Sequence, residues 1–295
     1  MADSPGTTDV HAMVVQAHGG PDFLTAQDVR LKAPGPGEVQ VRLAVAGINF
    51  VDIYMRRGLK PVPLPYTPGL DGTGVVEAVG PGVSNVRPGD HVAYADATLV
   101  PADSLIPLPD DVSFEQGAAF PLQGMTAHYL IHEFRKPSIG DVVLVHAAAG
   151  GVDCSWCSGP ATSAPAPSEP CPPRRRRRRS AKRAPTTSSS TPSGTSPKRP
   201  CATHRDLRRG RRRCRTISPN VLMERSLSLS GGDLWHFMRT HEEMLHRADA
   251  VMEGIENGWL TPRIFRVLPM ADVAEAHRLL EDRKTIGKIL LASGD

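Results

Sequence analysis

Residues 141–152 read DVVLVHAAAGGV, and no other stretch constrains the fold as much. Residues 141–146 form a short apolar run of the kind carried by a strand covered on both faces. The small residues after it, Ala147, Ala148, Ala149, Gly150 and Gly151, let a backbone turn tightly and come close to a phosphate. Such a strand and turn should lead, through Val152, into a helix whose first N–H groups hold an anion. Here the pattern stops. Asp153 comes next, then a tract rich in Cys, Pro and Arg.

That tract is chemically foreign to the rest of the chain. Residues 153–216 hold 17 Lys+Arg against 3 Asp+Glu, a net +14, while the remainder holds 18 against 28, a net −10. The formal charge of +4 is the difference between these two parts. All five cysteines (Cys154, Cys157, Cys171, Cys201 and Cys214) lie in the tract, whose only large aliphatic residue is Leu207. The other residues have the apolar content of a globular protein, and 295 residues suffice for two domains. No apolar run reaches membrane-spanning length, and the opening MADSPGTTDVHA lacks the apolar centre of a signal peptide, so a soluble cytoplasmic protein is expected.

The first third predicts a β-rich unit. A short strand is expected over 13–16, then a Gly19-Gly20-Pro21 turn, and a second turn over 34–37. Residues 38–45 alternate Val39, Val41, Leu43 and Val45 with polar or small residues, as a half-buried strand does. GINFVDIYMRRG over 47–58 predicts a loop or short helix that exposes Asn49, Asp52 and Tyr54. Residues 68–82, punctuated by glycine, predict a pair of strands, and 91–95 another strand after the Arg87-Pro88-Gly89-Asp90 turn. Together these predict a small, partly closed β-domain. The period then changes: Ser113 to Gln116 fits a capping box, and 122–134 (LQGMTAHYLIHEF) reads as an amphipathic helix leading to the strand at 141.

GINFVDIY, PGLDGTGVVEAVG, LQGMTAHYL and HAAAGGV, in that order, resemble the NADPH:quinone oxidoreductases, the zeta-crystallin-like, zinc-free branch of the medium-chain dehydrogenase/reductase superfamily. The resemblance covers about 13–152 and resumes over about 220–291, where LPMADVAEAHRLLEDRKTIGKILL is similar to the superfamily's closing segment. It implies an α/β plus β fold: a GroES-like catalytic domain over 1–121 and 268–295, and a Rossmann-type domain over 122–152 and 217–267. That second domain is incomplete, with 153–216 lying outside both.

Zinc-dependent members place a Cys in the loop after the first long strand and a Gly-His-Glu triplet on the next strand. Here those places read Ile48-Asn49 and Leu70-Asp71-Gly72, which offer neither thiolate nor imidazole, so no zinc is expected. Hydride donation from NADPH to a quinone or enone needs no Lewis acid. By resemblance, Asn49, Tyr54, Gln123 and Thr126 line the nicotinamide and substrate cleft. Asn49 and Gln123 hold the carboxamide and Tyr54 meets a quinone oxygen, while Ala149, Gly150, Gly151 and Val152 approach the pyrophosphate. A plainer reading of the same residues is that Asn49 and Asp52 cap a short helix and Tyr54 only packs. Asp71 reads as a structural turn carboxylate. In the closing segment, Thr240 to Glu243 reads as a capping box before a helix with Leu245, Ala248, Val251, Met252 and Ile255 on one face. A helix over 269–280 and a strand over 288–291 come after it, and nothing there is expected to carry chemistry. The resemblance further implies a homodimer.

The tract itself has three readings. As a linker it has the composition of disorder. As a nucleic-acid-binding fusion, its arginines at 174–179 and 208–213 would contact phosphates by charge, with Trp156 alone available to stack. A Cys154-x-x-Cys157 metal site lacks a suitably spaced partner pair. The third reading is a frame slip. If one base is restored after codon 152, a permitted codon choice for residues 153–166 translates as GLLLVQWARHLGAR. This string supplies the missing glycine, an amphipathic helix and a glycine turn. PSEPCPPRRR at 167–176 back-translates the same way to PIGTVSTEEK, a second strand and a charged turn. Only 67 residues separate Val152 from Asn220, whereas two complete βαβ halves need roughly a hundred or more, so several strands are missing as well. On this reading the chain as written is impaired, and an inactive relative of the enzyme remains an alternative. Because 153–216 cannot bury enough apolar surface to offset roughly 1–2 kcal/mol of backbone entropy per residue, limited proteolysis is expected to cut first among its arginines. A protease-resistant middle would contradict this.

Overall fold

The strand β3 (Glu38–Ile48) carries the sheet, and its alternation decides which side is inside. Val39, Val41 and Val45 are buried against Val76, Val86, Val92, Val100 and Leu105, or against Ala118 and Leu290. The computed structural model describes residues 7–94, 99–134, 152, 219–224 and 226–294. The strand and glycine turn expected over 141–151, and the tract 153–216, lie outside these residues.

β3 pairs antiparallel with β4 (Asp71–Val79), which pairs with β5 (His91–Tyr94), which pairs with β7 (Leu105–Pro107). The short β6 (Leu99–Pro101) pairs with the start of β3. On its other edge β3 takes the C-terminal strand β9 (Lys288–Ala292), and β8 (Ile264–Pro269) runs parallel to β9, giving the order β7-β5-β4-β3-β9-β8. A separate hairpin of β1 (Thr7–Val15) and β2 (Leu24–Lys32) is tied in through Val15 and Tyr66. The strand expected over 13–16 is thus the end of a longer one. Its partner β2 left little trace in the sequence because its side chains are mostly exposed and the backbone ladder, not an apolar face, holds it.

The glycine-punctuated segment 68–82 is one strand rather than two. Gly74 marks a close approach, not a turn: a Cβ there would overlap the Arg42 carbonyl oxygen and stand 2.9 Å from its carbon. Glycine here lets β4 lie against β3 where the register shifts.

Three helices surround the end of β3 and the sheet beside it. α1 (Phe50–Arg56) leaves the end of β3 directly. α2 (Phe114–Ala119) begins at the expected capping box, in which Ser113 Oγ accepts from the Gln116 N–H and the Gln116 side chain accepts from the Ser113 N–H. α3 (Pro121–Tyr129) continues into a wider turn over Leu130–Phe134, so the predicted helix over 122–134 is present with a change of pitch.

In the C-terminal part come α4 (Pro219–Glu224), α5 (His241–Glu256) and α6 (Val273–Glu281). α5 packs Met244, Ala248, Val251 and Met252 against Met125 and Tyr129 of α3, with Gly124 admitting the Val251 side chain. Thr240 caps α5 by accepting from the Glu243 N–H, but the Glu243 carboxylate takes the Arg239 N–H instead, so the box closes one residue earlier than expected. Because Gly74 has no room for a side chain, Gly74→Ala is expected to destabilise the fold by roughly 2 kcal/mol or more in thermal or denaturant melts. An unchanged midpoint would show that the two strands can separate freely.

Candidate functional site

The sheet register brings three residues from distant parts of the chain to one corner. Gly47 pairs with Asp71 across β3 and β4, and Ile48 pairs with Ile289 across β3 and β9. Asn49, Asp71 and Lys288 therefore meet where β3 ends and where β4 and β9 begin. All three are buried, at 3%, 3% and 1% exposure. The Asn49 Nδ2 donates to Asp71 Oδ1 (2.8 Å), while Lys288 Nζ donates to Asn49 Oδ1 (2.7 Å) and to Asp71 Oδ2 (2.8 Å). From α3, Gln123 Nε2 reaches the same Asn49 Oδ1 at 3.5 Å. Buried ionic groups are tolerated only when such partners replace the lost water.

Asn49 is also the N-cap of α1, and its backbone N–H donates to Asp52 Oδ2 at 2.7 Å. The helix-capping reading of Asn49 and Asp52 therefore holds, and the Asn49 side chain additionally joins the buried cluster. Asp52 is buried at 1% exposure, and its Oδ1 has no hydrogen-bond partner among the described residues. Burial pushes its carboxyl up to about 7, against the opposing hydrogen bond from Asn49, with the Asp71 charge adding to the rise. The Tyr66 hydroxyl, likewise buried and without a hydrogen-bond partner among the described residues, is pushed up to about 12, first by burial and then by the Asp52 charge.

One turn later, Arg56 is fully buried. It donates to Gly19 O (2.6 Å), Glu281 Oε1 (2.6 Å) and His277 Nδ1 (3.3 Å), tying α1 to α6. Burial, helped by the nearby Arg56 charge, lowers His277 to about 4, so its ring is neutral. Between α3 and α5, Arg247 contacts His128 Nδ1 (3.0 Å) and Glu133 Oε1 (2.7 Å). Burial and its cationic neighbours lower His128 to about 4.

Of the residues expected at the site, Asn49 and Gln123 come together. Tyr54 lies on α1 at 46% exposure, its ring 5.8 Å from that of Phe50. Thr126 comes one turn after Gln123 on α3. Ala149, Gly150 and Gly151 lie outside the described residues, and Val152 is described only as a half-buried helical residue. Two expectations need correction. Asn49 and Asp52 are buried rather than exposed: Asn49 is enclosed with Asp71 and Lys288, and Asp52 turns back to accept from the Asn49 N–H. Asp71 is no turn carboxylate but the first residue of β4 and one half of a buried ion pair. The closing segment also supplies Lys288 to this buried cluster, a contact not expected from the sequence. A lysine in KILL, with apolar residues after it on a central strand, was the available signal.

These groups set the pH response. His128 and His277 charge only in the unfolded chain as pH falls from 6.5 toward about 4, so the fold loses stability over that window. Asp52 acts oppositely: its folded value lies above the unfolded one, so its cost grows as pH rises from about 4 to about 7. Two histidines outweigh one carboxyl, and net stability should rise with pH between about 4 and 6.5. Asp52→Asn is expected to steepen that rise and to stabilise the fold at pH 8 but not near pH 4, as read by denaturant melts across pH. Equal effects at both pH values would mean that Asp52 is ionised throughout.

Comparison with known proteins bears on the fold. Residues 35–131 match the alcohol dehydrogenase GroES-like domain, and 198–291 match the family described as zinc-binding dehydrogenase. A quinone oxidoreductase of Pseudomonas aeruginosa is 43% identical over 152 residues, which are 48% of this chain and 47% of that protein. A 2-haloacrylate reductase of a Burkholderia species is 41% identical over 158 residues, again 48% and 47% of the two chains. The chain thus aligns with about half the length of these relatives. Among solved structures, a mycobacterial protein complexed with NADPH superposes with a TM-score of 0.74 at 26% identity, covering 96% of this chain and all of that one. The Escherichia coli quinone oxidoreductase complexed with NADPH gives a TM-score of 0.76 at 24% identity, a likeness of fold, covering 96% and 100%. Its two domain-family matches and these relatives make the chain similar, over about half its length, to quinone oxidoreductases.

Proposed function

We propose that this chain is built as a reductase that uses NADPH to reduce a quinone or an activated enone without zinc. The observation that carries the reading is the Asn49 amide, held at both ends by a buried ion pair and met by Gln123. Such a wall can present fixed hydrogen-bonding groups to a flat, polar-edged ring. The names of the relatives, quinone oxidoreductase and 2-haloacrylate reductase, both denote reduction of electron-poor double bonds.

NADPH, when bound, supplies the hydride. Asn49 and Gln123 would hold its carboxamide, Thr126 would line the same wall, and the Tyr54 hydroxyl would donate to the substrate oxygen that gains charge. Ala149, Gly150, Gly151 and Val152 would approach the pyrophosphate. The donor set argues against catalytic zinc on its own chemistry: both Asp71 oxygens are taken, one by an amide and one by an ammonium that a cation would have to displace. Among the described residues no group of His, Cys, Asp and Glu is placed to hold a metal ion, and no helix is long and apolar enough to cross a membrane. A cytoplasmic homodimer is the assembly that the resemblance favours.

The pyrophosphate end is the weak point. Asp153 stands where a glycine and a helix N-terminus should receive phosphate, and its carboxylate repels the group it should bind. The chain as written is therefore expected to show no saturable NADPH oxidation with a quinone, whereas a chain restored to frame and length should show it. Turnover by the unmodified chain, saturating at micromolar NADPH, would overturn the claim of impairment. No turnover by the restored chain would overturn the assigned reaction.

A further inference from the structure

Asn49 can offer a cofactor only the hydrogen-bonding capacity that the protein leaves unused, and Lys288 decides which part that is. An asparagine amide is nearly symmetric in shape, so its orientation is set by its partners. Here Oδ1 faces the Lys288 ammonium at 2.7 Å, and Nδ2 faces Asp71 Oδ1 at 2.8 Å. An ammonium has no acceptor and a carboxylate no donor, so the reverse orientation would set N–H against N–H and oxygen against oxygen. Gln123 Nε2 takes the other side of Oδ1 at 3.5 Å, which leaves one Nδ2 proton of the amide unused among the described residues. The site is built to admit this arrangement: a Cβ at Gly47 would overlap Asp71 Oδ1 and stand 2.9 Å from Lys288 Nζ, so the ion pair crosses β3 where there is no side chain.

We propose that Lys288 is a positioning residue for the nicotinamide end of the cleft, orienting the Asn49 amide so that its free N–H, and not its oxygen, meets the cofactor. The proposal rests on the NADPH-dependent reading above and names the device by which that site discriminates. Neither Lys288 nor Asp71 touches the cofactor; both act through Asn49. A carbonyl acceptor on the ring is then favoured over a donor, which suits a carboxamide presenting its oxygen.

The test uses the chain as it stands and two variants. Lys288→Met removes the ammonium but leaves Asp71 buried and unpaired, which can unfold the corner. Lys288→Met/Asp71→Asn removes both charges and keeps an oxygen acceptor for the Asn49 Nδ2, so the corner should stay folded. The first readout is the side-chain amide proton pair of Asn49 by NMR, assigned with Asn49→Ala. The second is binding of reduced nicotinamide mononucleotide, which reports on the nicotinamide end without needing the pyrophosphate site. If Lys288 positions the amide, the double variant keeps its melting midpoint, loses the slow exchange of that proton pair, and binds the mononucleotide roughly tenfold more weakly, the size of one charge-assisted hydrogen bond. A double variant that keeps both the protected amide pair and wild-type affinity would overturn the proposal and leave the ion pair a structural role only. If the wild-type chain does not bind the mononucleotide, the NADPH reading fails, and the NMR signal alone still decides whether Lys288 orients Asn49.

Discussion

A single ammonium shared between a carboxylate and an amide holds the described part of this molecule in register. Lys288 and Asp71 begin two different strands, and Asn49 ends a third. Buried charge is expensive, and such a pair is worth keeping only if its geometry is specific. Specificity is its contribution here. A slip of one residue in either β4 or β9 would point Asp71 or Lys288 to the opposite face of the sheet and leave the other charge alone. The corner thus locks the C-terminal strand to the N-terminal domain and, by the same contacts, fixes the residue nearest the cleft.

The second constraint lies just behind the first. α1 begins at Asn49 and is clamped at its far end by Arg56, which reaches the loop at Gly19 and the helix α6. Between these two anchors lies Asp52, a carboxyl held in a place too dry for its charge. The helix carrying Tyr54 is therefore fixed at both ends, and its exposed ring stands on a rigid mount. A proton-sensitive group inside that mount couples the fold's stability to pH between about 4 and about 7.

At the proposed nucleotide end the sequence runs from Val152 into Asp153 instead of a glycine. The restored reading frame would place a helix directly after the glycine turn, where a phosphate needs backbone N–H groups. On the proposed reading, the nicotinamide half of the site has its contacts among the described residues, and the other half is interrupted in the sequence itself.

Local physics was readable from the residues alone. The alternation of 38–45 became β3, Ser113 and Gln116 became a reciprocal cap, and the apolar face of 241–256 became the surface that meets α3. The join between two unlike compositions was visible only in the sequence, because it is a property of the text and not of the fold. Contacts between distant segments could not be read from the residues. The glycines of 68–82 suggested two strands, whereas a neighbouring backbone demanded the one at 74; β2 carried no apolar face to announce it; and Lys288 lay 217 residues from the Asp71 it neutralises. Hydrophobic periodicity reports on one strand or helix at a time, so it could not bring Asn49, Asp71 and Lys288 together. Only the register of three strands decided which atoms of that amide are free.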